Sequence, residues 1–122
     1  MGKKYVLKVS PDGRVEREEF DAADPLGQLQ RAVGWWIERV PLRLDGGIDL
    51  FVNEEGMLNG LPLNSVLTNF ATQDSGWLEL RGPGVFAAHD GDGETVGLTE
   101  AECADFARAL ALFGGRVAEA ET

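Results

Sequence analysis

A chain of 122 residues with 43% apolar and 26% charged content reads as one globular domain able to bury a core without disulfide or metal support. The net charge of −10 is uneven: residues 1–44 carry +1 and residues 45–122 carry −11. Direct binding to a nucleic-acid backbone, which needs cationic neutralisation, is therefore disfavoured; solubility and mimicry of a polyanion both fit the acidity. No apolar run approaches a membrane span, and a single Cys leaves no internal disulfide, so a cytoplasmic protein is expected.

In chain order, "KKYVLKVS" alternates as a strand, "PDGR" supplies a turn around Asp12-Gly13, and "RVEREEF" alternates again. Residues 5–20 are thus predicted as a β-hairpin. "DPLGQLQRAVGWWIERVP" predicts a helix with Asp24 as N-cap and Pro25 at its first position. Its apolar stripe would hold Leu26, Leu29, Val33, Trp36, Ile37 and Val40, with Pro41 as the stop. Trp36 is expected in the core. Trp35 falls off the stripe, where it is either covered by another element or exposed as a contact residue, and it is the best single candidate for an interaction surface.

"PLRLDGGIDLFVNEEG" predicts two strands around Asp45-Gly46-Gly47. "NEEGMLNGLPLN" follows, with turn signals at Gly56 and Asn59-Gly60, a break at Pro62, and Asn64 as N-cap of a short helix in "SVLTNFA". "WLELRGPGVFAAH" predicts two further strands about Gly82-Pro83-Gly84, with Trp77 packed in the first, and "DGDGE" is a turn. Thr99 and Glu102 form a capping box for a last helix that buries Cys103, Phe106, Ala107, Leu110 and Phe113 and stops at Gly114-Gly115. The order ββ–α–ββ–short α–ββ–α predicts an α+β domain over residues 1–115, with a mostly antiparallel sheet packed on two main helices. Residues 116–122 are expected to form a flexible acidic tail.

Sites of chemistry are sparse. His89 is the only histidine and is expected to be a solvated strand end; Cys103 has no partner and is expected to be a core thiol. From Asp90 the sixth residue is Thr95 and the twelfth Ala101, which does not match a calcium loop. No phosphate loop and no nucleophile elbow is present. No catalytic residue, metal or cofactor is therefore expected. Glu54 and Glu55, with Asn53 nearby, would serve a hydrolase only if half-buried in a cleft.

"VPLRLDGGIDLFVNEEGMLNGLPLN" resembles the family catalogued as domain of unknown function 3846, whose pattern includes N-E-E-G followed by L-N-G-L-P-x-N, a later G-x-V strand and a closing G-L-T helix start. The resemblance covers most of residues 4–113. It implies small proteins of bacteria, plasmids and phages, and it carries over no established activity, cofactor or catalytic residue. It also implies that Asn53, Glu54, Gly56, Asn59, Gly60, Pro62 and Asn64 belong together as a signature, either as a connector or as a site for a ligand or partner. The candidate binding residues are therefore Trp35, Asn53, Glu54, Asn59 and Asn64. The expected function is a non-catalytic interaction protein of a phage or mobile element, acting on a protein partner or sequestering a small ligand. A homodimer built on Trp35 and a free edge strand is the structural alternative.

Overall fold

The computed structural model describes residues 2–42, 44, 46–75 and 79–117. The chain is α+β, with seven strands and three helices: β1 Tyr5–Val9, β2 Arg14–Glu19, α1 Pro25–Val33, β3 Ile37–Val40, β4 Ile48–Asn53, α2 Ser65–Ser75, β5 Gly84–His89, β6 Thr95–Val96, α3 Glu100–Ala111 and β7 Arg116–Val117. The sheet runs β3-β4-β5-β1-β2-β7, with β6 added beside β5. Every pairing is antiparallel except β2 with β7.

Period-two alternation places each strand's residues on two faces, and here both faces are covered. Leu7, Val9, Val15, Leu50, Val52 and Phe86 meet α2 and α3 through Leu67, Ala71, Cys103 and Leu110. Val6, Phe51, Val85 and Ala87 meet Leu29 and Val33 of α1. Double burial explains why all six residues of β4 are buried. Phe70 of α2 sits edge-on to Phe86 at 5.7 Å, and Phe106 and Phe113 pack around it.

The β1–β2 hairpin forms as expected. The Thr99–Glu102 capping box is present with both hydrogen bonds, 3.0 and 2.8 Å. Asp24 caps α1 by accepting from the Gly27 N–H at 3.1 Å, and Pro25 stands at the first turn. Gln28 then fastens α1 to β2: its amide donates to Glu18 Oε1 at 2.7 Å and to the Glu19 carbonyl at 2.8 Å.

Other expectations are corrected. The first helix stops at Val33, because Gly34 adopts φ +84° and its N–H closes on the Gln30 carbonyl. Ile37 and Val40 belong to β3, which pairs with β4, and point to opposite faces of the sheet. Trp36 is consequently 59% exposed instead of buried. The strand before the Gly46-Gly47 turn is thus Ile37–Val40 and ends at Pro41; Asp45 and Trp77 lie outside the described residues. Gly46 and Gly47 have φ of +76° and +68°, as that turn requires. The helix after Asn64 is longer than expected and reaches Ser75. Of the two strands expected about Gly82-Pro83-Gly84, the second is β5; ahead of it Arg81 makes only an isolated bridge to Leu63. Of the expected tail, Arg116 and Val117 extend the sheet beside Arg14 and Val15, and residues 118–122 lie outside the described residues.

Candidate functional site

The signature segment Asn53–Asn64 leaves β4 and enters α2. Its two ends are buried and its middle is exposed. Asn64 has no solvent exposure. Its Oδ1 accepts from the Leu67 N–H at 3.1 Å, which caps α2, while its Nδ2 donates to the carbonyls of Val9 and Gly82, both at 3.0 Å. One side chain therefore joins α2, β1 and the turn before β5. Asn53 is also buried: Nδ2 donates to the Val33 carbonyl at the end of α1 at 3.2 Å, and Oδ1 accepts from the Glu55 N–H at 2.8 Å. Both Asn residues are thus held by the fold, with their amides bonded to backbone groups of several elements.

Between them the backbone winds through Gly56 N–H to Asn53 O, Asn59 N–H to Glu55 O and Leu61 N–H to Gly56 O. A Cβ at Gly56 would lie 2.9 Å from the Arg81 carbonyl, so that position requires glycine for close approach. Glu54, Met57, Leu58 and Asn59 face solvent, and Glu55 is half-buried. The structure thus separates the candidates: Asn53 and Asn64 inside, Glu54, Asn59 and Trp35 outside.

The exposed members share one end of the sheet. The Glu54 N–H donates to the Trp36 carbonyl at 2.9 Å, which ties the start of β3 to the end of β4 and sets Trp36 beside the first residue of the loop. Trp35 is 47% exposed, Trp36 59%, Met57 65% and Leu58 85%. Arg81, beneath the loop, is occupied by Glu79 and by the Leu61 carbonyl at 3.1 Å.

Sequence reasoning missed one polar cluster. Asp49, on central strand β4, is buried on the α1 face of the sheet; its Oδ2 lies 2.8 Å from His89 Nδ1, and its Oδ1 lies 3.7 Å from the Arg39 guanidinium. His89 is thus tied to a buried carboxylate and is not simply a solvated strand end. Forty residues separate the pair, and only the β4–β5 register brings them together. A separate groove of about 390 Å³ lies between α1 and the first hairpin, floored by Val6 and Ala32 and edged by Lys8, Glu16, Glu18 and Arg31. Cys103 is buried, and desolvation pushes its thiol from 9.0 to about 11, so it is protonated and poorly nucleophilic near neutral pH. Among the described residues no group of three or more His, Cys, Asp or Glu could hold a metal ion, and no helix is long and apolar enough to cross a membrane.

These features define a small α+β domain with a sheet covered on both faces and an exposed aromatic and aliphatic set at one end. The model of the family described as "Domain of unknown function (DUF3846)" matches residues 3–111, and the chain belongs to that family. No curated protein and no solved structure matches the chain.

Proposed function

We propose that the chain is a non-catalytic interaction protein that contacts a partner protein through the end of the sheet where α1 stops, β3 begins and β4 enters its loop. The carrying observation is the solvent exposure there of Trp35, Trp36, Met57 and Leu58. Clustered exposed apolar side chains mark interaction sites, and Trp and Met are enriched where proteins meet.

Charge narrows the partner. Glu38 and Glu54 stand exposed at this end and Glu55 half-buried, whereas the nearby Arg39 and Arg81 already have carboxylate neighbours in Asp49 and Glu79. The complementary surface is an apolar pocket rimmed by Lys or Arg. Mimicry of a polyanion has less support, because exposed carboxylates are divided among β2, the Asp90–Glu94 turn and α3, and Arg14, Arg17 and Arg108 are interleaved with them. The hydrolase alternative has less support, because Glu54 is exposed and the described groove is lined by neither Glu54 nor Glu55. The setting we assign is the cytoplasm, on the strength of one buried unpaired thiol and the acidic charge.

Photo-crosslinking tests this. A benzophenone amino acid placed at Leu58 or Trp36 in producing cells is expected to yield a discrete protein adduct. The same label at Leu112, equally exposed at the end of α3, is expected not to yield it. No adduct from either site, or identical adducts from all three positions, would remove the basis for the proposal.

A further inference from the structure

Strand β3 is an edge of the sheet, and its hydrogen-bond phase can be read from one bond. Ile37 stands opposite Asn53, and the Glu54 N–H donates to the Trp36 carbonyl. That bond makes Ile37–Asn53 a non-hydrogen-bonded pair, so the backbone groups of Trp36, Glu38 and Val40 turn toward β4. Those of Ile37 and Arg39 turn away from it. Among the described residues no hydrogen bond reaches the backbone of Ile37 or Arg39, and Glu38 and Arg39 are exposed. The edge therefore offers two N–H and two C=O groups to another strand.

We infer that a second copy of this chain pairs antiparallel with β3 about a twofold axis through Ile37, continuing the two sheets as one. This rests on the reading above that this end of the sheet is a contact surface. A twofold axis normal to the sheet keeps each residue on its own face, so opposed residues must share parity, and the axis passes through Ile37, Glu38 or Arg39. Centring on Glu38 opposes the two Glu38 carboxylates in a close pair, which is destabilising. Centring on Arg39 opposes two guanidinium groups and sets Pro41, which has no N–H, against Ile37. Centring on Ile37 opposes Ile37 to Ile37 and Trp36 to Glu38, and brings Trp35 of each copy beside Arg39 of the other, where a guanidinium finds an aromatic face. Of these three registers only this one is free of like-charge opposition, and it covers both exposed tryptophans. The sequence of the edge is complementary to itself, which is why the occupant is a second copy.

Hydrogen exchange tests the phase as well as the association. In purified protein raised from about 5 µM to about 500 µM, the mass is expected to move from 13.2 kDa toward twice that value. The amides of Ile37 and Arg39 are expected to slow by about tenfold or more, while that of Glu38, bonded within the chain, keeps its rate. Arg39→Pro and Arg39→Ala both lose the ion pair to Asp49, and Arg39→Pro removes in addition an outward N–H but no β3–β4 hydrogen bond; Arg39→Pro is expected to stay monomeric with the melting temperature of Arg39→Ala, which retains the association. Constant exchange at Ile37 and Arg39 across that range overturns the inference, whether or not the mass rises. Protection seen only after addition of cell extract also overturns it and assigns the edge to another chain. Adducts at Leu58 report on the wider proposal independently, since that side chain lies outside β3.

Discussion

Replacing Asn64 with Ala should cost stability by an amount that its three side-chain hydrogen bonds allow to be estimated. Loss of Oδ1 removes the cap of α2 and leaves the Leu67 N–H without its acceptor, about 1 kcal/mol. Loss of Nδ2 withdraws a donor from the buried carbonyls of Val9 and Gly82, roughly 1 kcal/mol each at the lower end of the range for such groups. The sum is about 3 kcal/mol, before any cost of the space left behind. With a urea slope of roughly 1–3 kcal/mol/M, the midpoint should fall by about 1–3 M at constant slope. Asn64→Asp sharpens the test. It keeps a good N-cap acceptor but aims carboxylate oxygens at two carbonyls in a site without solvent, so it should lose at least as much. Equilibrium urea unfolding followed by circular dichroism reads all three proteins. A near-native Asn64→Asp, or an Asn64→Ala loss under about 1 kcal/mol, would refute the three-way clamp and reduce Asn64 to an ordinary cap.

Two further outcomes follow from the same geometry. Asn53→Ala should lower stability by roughly 2 kcal/mol, because the Val33 carbonyl and the Glu55 N–H each lose a partner, whereas Asn59→Ala on the exposed loop should change it by less than about 0.5 kcal/mol; thermal melts compare them. For Cys103 the folded thiol is raised from 9.0 to about 11 by burial, so the unfolded chain releases its proton first as pH rises. The stability this group contributes is complete below pH 9 and is lost between pH 9 and about 11, approaching about 3 kcal/mol. A Cys103→Ala variant should lack that component of the alkaline decline when unfolding is measured across this window.

Local chemistry made several elements legible in the sequence. The Asp12-Gly13 turn, the Asp24-Pro25 helix start, the Thr99–Glu102 capping box and the Asn64 cap each depend on partners within a few residues, and each stands where the pattern put it. The family signature was also visible, whereas the exposure of Trp35 was left open by the sequence and follows from the helix ending before it. The end of α1 was not legible: Val33, Trp36, Ile37 and Val40 fit a helical stripe, and Ile37 and Val40 equally fit a strand buried on two faces. Gly34 made a helix end available there, and pairing with β4 gave Ile37–Val40 a ladder that the helix would have forfeited. The burial of Asn53 against α1, the second and third bonds of Asn64, and the meeting of Asp49 with His89 also came only from the assembled sheet. Caps and turns close within one turn of chain, so sequence determines them alone. A strand edge or a buried amide acquires its meaning from partners ten to fifty-five residues away, and those are chosen only when the sheet closes on its helices.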